Sequence, residues 1–243
     1  MKSYTYDLHV HSCLSPCADN DNTPNNIAGM AVISGVEILA LTDHNTCMNC
    51  PAFFEAAERY GIIPIAGMEL TTSEDIHIVC LFPTLESAMA FDKEIKSHRT
   101  LIKNRKEIFG EQLILDGEDN VVGEEEYLLT VATDISSDDV PRYTEKYGGV
   151  CFPAHIDKSS NSIIATLGTL PDEPHFSTVE VKNAALIDEL RKKHPIDGRL
   201  ILTSSDAHLL ESIGEGGGTL MLDSDTHDKD EVRQKLIKLL GGV

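Results

Sequence analysis

The sequence predicts an α/β protein whose sheet is mainly parallel, either open or closed into a barrel. Three observations lead there. Short apolar or β-branched segments recur along the chain, helical patterns separate them, and histidines and acids recur where those segments end. With 41% apolar and 25% charged residues over 243 positions, the composition is that of a globular protein with a full hydrophobic core.

Strands are expected at residues 6–10, 36–41, 62–68, 76–82, 150–153, 178–181 and 200–203. Helix 24–33 has Thr23 as its N-cap and Gly35 as its stop. Helix 52–60 is opened by Pro51 and ended by Gly61. A long third helix is expected over 85–109, and others over 138–147 and 184–194. Residues 228–240 close the chain with Val232, Leu236, Leu239 and Leu240 at helical spacing. One segment breaks the alternation: 112–122, with Gly117-Glu118-Asp119-Asn120 at its middle, reads as a β-hairpin. The run 214–218 is rich in glycine but lacks the Lys-Ser/Thr of a phosphate loop. It is expected to be a flexible connection before a strand at 219–222. The chain is therefore expected to be one domain over 1–243, with an insertion at about 84–148 of helices and a β-hairpin packed beside the barrel.

Formal net charge is −20, with 40 acidic against 20 basic residues. Such a surface repels nucleic acid and anionic lipid, so no extended nucleic-acid surface and no membrane contact are expected. A small phosphorylated substrate remains compatible, because bound cations invert the sign locally. Residues 1–7 lack the apolar run of a secretory signal, and the cytoplasm is the expected compartment. The six cysteines then read as reduced thiols.

The chemistry lies in the histidines. His9 and His11 end the first strand, and residues two apart on a strand face the same side. Asp43-His44 ends the second strand, Glu69 the third, and His77 opens the fourth. His155 follows the fifth strand, and Asp206 and His208 follow the seventh. The C-terminal strand ends of α/β barrels are where active sites are built. Imidazoles and carboxylates without thiolates suit zinc, iron or manganese, and a shared carboxylate such as Glu69 could bridge two ions. A single buried histidine is more often a hydrogen-bonded core residue, but six at strand ends together with acids read as a metal site. Cys47-Met48-Asn49-Cys50, with Cys13 and Cys17, makes a four-thiolate site conceivable as a competing signal. His98, His175, His194 and His227 are expected at the surface.

These residues resemble the PHP family, the polymerase and histidinol phosphatase domains. Asp7-Leu8-His9-Val10-His11-Ser12 is similar to its first motif, and Leu41-Thr42-Asp43-His44-Asn45 to its second. Gly67-Met68-Glu69 with His77 resembles the third, and Pro153-Ala154-His155 and Ser205-Asp206-Ala207-His208 the last two. The resemblance implies a distorted seven-stranded (β/α) barrel, TIM-like, with two or three divalent transition metal ions. It implies one ion on His9, His11, Glu69 and Asp206, a second on Glu69, His77 and His155, and a third on Asp19, His44 and His208. Asp19 is chosen by counting back from Pro24 through an unusually long loop, with Asp21 as the alternative. Asp43 is assigned to orienting a ligand rather than to coordination.

The implied activity is metal-dependent hydrolysis of a phosphoester, in a small metabolite or nucleotide, by a hydroxide bridging two ions. His9, His11, Glu69, His155 and Asp206 are expected to carry catalysis, and Lys158, Lys182 and Asn183 to bind the phosphorylated substrate. Histidinol-phosphate phosphatase and a non-catalytic metal-binding module are the alternatives.

Overall fold

The computed structural model describes residues 1–223 and 228–242, so His227 lies outside the described residues. In chain order the elements are β1 (Lys2–Val10), α1 (Pro24–Ile33), β2 (Ile38–Leu41), α2 (Cys50–Tyr60), β3 (Ile63–Thr71) and β4 (His77–Phe82). Then come α3 (Leu85–Ile95), α4 (Lys106–Phe109), β5 (Leu113–Leu115), β6 (Val121–Glu124), α5 (Val140–Glu145) and β7 (Val150–Pro153). The last part holds α6 (Ile163–Leu167), β8 (Thr178–Glu180), α7 (Ile187–Lys193), β9 (Leu200–Leu202), β10 (Gly218–Leu222) and α8 (Lys229–Leu240). Among the described residues no helix is long and apolar enough to cross a membrane.

The main sheet runs β10-β1-β2-β3-β4-β7, and β8 pairs with β9. It is a curled, distorted barrel rather than a flat sheet, because hydrogen bonds carry its β7 edge round through β8 and β9 to the end of β1. Ile156 N–H donates to the Glu180 carbonyl (2.8 Å) and Val181 N–H to the Leu202 carbonyl (2.9 Å), carrying β7 onto β8 and β9. A parallel bridge between Val10 and Ala207 then brings the chain after β9 onto the end of β1. Asp7 fixes that closure: its buried carboxylate accepts from Ser205 N (3.0 Å) and Gly214 N (2.8 Å). Burial pushes the Asp7 pKa up, against the pull of these hydrogen bonds.

The sheet is less parallel than the strand–helix rhythm suggests. β1, β2 and β3 are parallel, but β4 is antiparallel to both β3 and β7. The turn between β3 and β4, closed by Asp75 N–H on the Thr72 carbonyl (3.0 Å), is too short to hold a crossover helix, so the chain must reverse. That reversal puts the start of β4, and with it His77, beside the end of β3.

Strand interiors are apolar on both faces because each face is covered. Ile38, Ala40, Ile65, Val79, Leu81 and Phe152 pack inward, and α8 contributes Val232, Leu236 and Leu240 to the same cluster. Leu39, Leu41, Ala66, Met68 and Phe82 pack outward against Ile27 and Ala28 of α1, Phe53 and Ala56 of α2, and Phe91 of α3.

The expected helix over 85–109 is broken. α3 ends at Ile95. Beyond it, side chains that bond other backbone take the chain away: Thr100 Oγ1 donates to the Ala132 carbonyl (2.8 Å), and His98 Nδ1 meets Asp134 (2.6 Å). Residues 98–104 instead bridge to 126–134 (Arg99 to Thr133, Lys103 to Tyr127). The expected hairpin is present as β5 and β6, and α6 was not anticipated. The glycine run is a packed turn rather than a loose connection. A side chain at Gly217 would meet the Tyr6 carbonyl at 2.5 Å, so only glycine lets β10 close on β1.

Removing the Asp7 carboxylate strands the buried Ser205 N–H and the half-buried Gly214 N–H. Asp7→Ala is expected to lower stability in urea unfolding by at least about 2 kcal/mol, and an unchanged midpoint would show that closure does not depend on it.

Candidate metal centre

The centre is organised around Glu69, which is 1% exposed at the end of β3. His77 Nδ1 (2.8 Å), His155 Nε2 (3.1 Å) and His9 Nε2 (3.2 Å) face its Oε1. His44 Nδ1 (3.1 Å) and His11 Nε2 (3.3 Å) face its Oε2. Asp206 closes the far side, with Oδ1 3.6 Å from His9 Nε2 and 3.5 Å from His11 Nε2. His208 stacks on His11 with ring centroids 4.3 Å apart. All of these lie at one end of the barrel. His155 and Asp206 hold left-handed backbone angles (φ 29° and 48°), the kind of local strain that surrounding hydrogen bonds must sustain.

Electrostatics follow from crowding. Burial would raise Glu69, but His77, His9 and His44 hold it well below the usual carboxylate range. Burial would lower His9, but Glu180, Glu69 and Asp206 hold its pKa well above the ordinary value. The same contest puts His11 at about 9. His44 is depressed by burial and its neighbouring imidazoles, and His208 falls to about 4 through burial and His11. Imidazoles and carboxylates thus share protons here, the condition in which cations displace protons on binding.

The donors fit metal ions. Three groups have ligand atoms within 4.8 Å of one another: His9, His11 and Asp206; His44, Glu69 and His77; and His11, His44 and His208. His44 Nδ1 and His77 Nδ1 are near Glu69 but misaligned for hydrogen bonding, and both are buried without a hydrogen-bond partner. Buried nitrogens turned aside from a carboxylate are what a cation held between them requires.

The ligands are themselves held. His9 Nδ1 lies 3.0 and 3.2 Å from the two oxygens of Glu180, which also accepts His155 N (3.1 Å). This fixes the Nδ1 proton of His9 and turns Nε2 inward. His11 Nδ1 meets Ser15 Oγ (3.0 Å), which donates to Asp43 (2.7 Å). Asp43 therefore orients a ligand through a serine. Neither Glu180 nor Ser15 was singled out in the sequence. A lone acid between Val179 and Val181 at a strand end was the available signal for Glu180.

Not every expected site residue gathers here. Asp19 is exposed, and its carboxylate accepts Asp21 N (2.9 Å) within its own turn. Only its backbone reaches the centre, donating to the His208 carbonyl (2.9 Å). Asp21 is exposed too. Lys158 Nζ is 3.0 Å from Asp206 Oδ2. Lys182 Nζ instead donates to the Ser205 carbonyl, and Asn183 Oδ1 accepts Ala185 N (3.1 Å). The thiols do not converge among the described residues: Cys47 and Cys50 point at the Gly67 carbonyl (3.1 and 3.7 Å), Cys13 is buried, and Cys17 is exposed. Burial holds the Cys13 thiol up at about 12, which disfavours a thiolate ligand there.

The PHP domain profile matches residues 7–137, and the chain belongs to the PHP domain family. The chain is 34% identical over 104 residues to a 5'-3' exoribonuclease of Haemophilus influenzae, a match covering 42% of this chain and 34% of that protein. It is 38% identical over 65 residues to a phosphoribosyl 1,2-cyclic phosphate 1,2-diphosphodiesterase of Eggerthella lenta, covering 27% of this chain and 24% of the other. The matches thus span about a third or less of these relatives. The fold is shared with lesion-specific endonuclease Q of Pyrococcus furiosus (TM-score 0.66, 15% identity, all of this chain and 56% of that one). It is likewise shared with endonuclease Q in complex with a 27-mer duplex carrying an abasic lesion (TM-score 0.67, 17% identity, 99% and 58%). The exoribonuclease and the endonuclease Q structures overturn the expectation of a small substrate and no nucleic-acid surface. Net charge averages over the whole molecule, whereas the site meets phosphate through cations and a few side chains.

Glu180→Gln keeps the volume but loses the charge that holds the His9 proton. It is expected to weaken zinc binding about 10–100-fold in chelator competition with the circular dichroism unchanged; unaltered affinity would remove Glu180 from the centre's construction.

Proposed function

We propose that this chain hydrolyses phosphodiester bonds of nucleic acid with two or three divalent ions (zinc, manganese or iron) in the centre around Glu69. The observation that carries the reading is the set of three donor groups, linked through His11 and His44, gathered around the buried Glu69 carboxylate. Sequence similarity to an exoribonuclease directs it toward nucleic acid. His9, His11 and Asp206 with Glu69 would hold one ion, and Glu69, His77 and His155 a second. His44 and His208 would hold the third, with Asp19 reaching it only if its turn reorganises. Bound there, the ions would supply Lewis acidity to the phosphoryl oxygens.

The chain's own groups do the rest. Glu180 and the Ser15–Asp43 pair hold His9 and His11 with Nε2 inward, so the donors need not reorganise when substrate arrives. Lys158 carries the cation that meets a non-bridging phosphate oxygen once Asp206 is committed to an ion. Lys182 holds the Ser205 carbonyl and so keeps Asp206 in place. Eight of the nine expected donors converge, all but Asp19, and that argues against a non-catalytic module. Six unpaired thiols suit a reducing compartment, and on that ground we assign the chain to the cytoplasm.

Protein purified without chelator is expected to carry more than one transition-metal ion per chain by elemental analysis, and to shorten end-labelled RNA or DNA oligonucleotides with manganese present. The double variant His9→Ala, His155→Ala should lose at least about a hundredfold in rate. Activity that survives this pair of changes, or survives exhaustive chelation, would sink the mechanism.

A further inference from the structure

We propose that a pocket beside the metal centre receives the nucleoside adjoining the scissile phosphate and so selects for a base at that position; this rests on the nucleic-acid reading above. The pocket has a volume of about 300 Å³ and lies between the turn after β7 and helix α7. Ile156, Ile164, Leu186 and Leu190 line it, with Lys158 and Lys193. That volume is at the small end of ligand sites, the scale of one base and its sugar rather than a duplex. Aliphatic walls suit the faces of a base, which every base presents alike.

Lys158 ties the pocket to the chemistry. It lines the pocket, and its Nζ reaches Asp206 at 3.0 Å. The two places are therefore one lysine side chain apart, close enough for one nucleotide to occupy both. The rim is also built in advance. Lys158 N–H donates to the His155 carbonyl (2.9 Å), and Ser162 Oγ donates to the Lys158 carbonyl (2.7 Å) while capping α6. The turn that carries His155 to the metal centre is the same turn that shapes the pocket.

The acids in the lining do not oppose a phosphate. Asp157 is engaged by the backbone N–H groups of Lys182 (2.7 Å) and Asn183 (2.9 Å), and Glu189 lies 2.5 Å from Lys193. Among the described residues Lys158 is paired only with Asp206, whose charge a bound cation would neutralise.

The test compares short oligonucleotides that are intact with ones made abasic in turn at the nucleotides flanking the cleaved bond, in the manganese-loaded protein. The wild-type chain is expected to favour the intact strand by at least about tenfold in kcat/KM at one of the two positions. Ala165→Trp places a large ring at an exposed lining residue and is expected to erase that preference. Ser159→Trp, at a second exposed lining position, checks it independently. Equal rates on intact and abasic strands in the wild type would overturn the pocket while leaving the nucleic-acid reading standing, as would a preference untouched in both variants. No cleavage of either strand would overturn both.

Discussion

The structure depends on keeping one buried carboxylate charged. Glu69 is shut away from water, where ionisation alone would cost several kcal/mol, and it keeps its charge because imidazoles surround both of its oxygens. Those imidazoles must be aimed, and the sequence devotes further buried acids to aiming them. Glu180 holds His9, Asp43 holds His11 through Ser15, and Asp7 holds the loop that carries Asp206. Much of the excess of acid in this chain lies at its surface. The acids that matter to function are inside, where they orient ligands instead of repelling phosphate. This is why the net charge misdirected the choice of substrate.

The barrel end is also where unrelated stretches of chain are stitched together. Asn45, next to His44, gives its amide hydrogens to the Leu129 and Val131 carbonyls and accepts Thr71 N–H. The region between β4 and β7 is thereby fastened to the rim of the metal centre. Lys182 and Asp157 fasten β7, β8 and β9 in the same way.

Much of this was legible because ligands at strand ends leave a linear trace. His9 and His11 are two apart, and Asp206 and His208 follow an apolar strand, so periodicity and residue type locate them together. All the expected barrel strands exist, with ends displaced by a few residues. What was hidden depends on contacts between distant segments. The direction of β4 follows from turn length, which pattern reading passes over. The break after Ile95 comes from backbone pairing with residues some 30 positions away. Glu180 is a single acid in a short strand, and only the fold shows that it faces His9. Asp19 was chosen by counting along a loop, and the loop's own hydrogen bonds turn its carboxylate away.

The reversed β4 has a consequence for how this protein can vary. Surface connections in barrel enzymes usually tolerate changes of length, and families diversify there. The β3–β4 turn has no such freedom. His77 sits opposite Thr71 in register, and one added residue would slip the strand and send the imidazole to the opposite face. The distance between Glu69 and His77 is therefore set by a hairpin's geometry rather than by a ligand's reach. Divergence in substrate must be written into the other loops, while this one acts as a fixed gauge of the metal spacing.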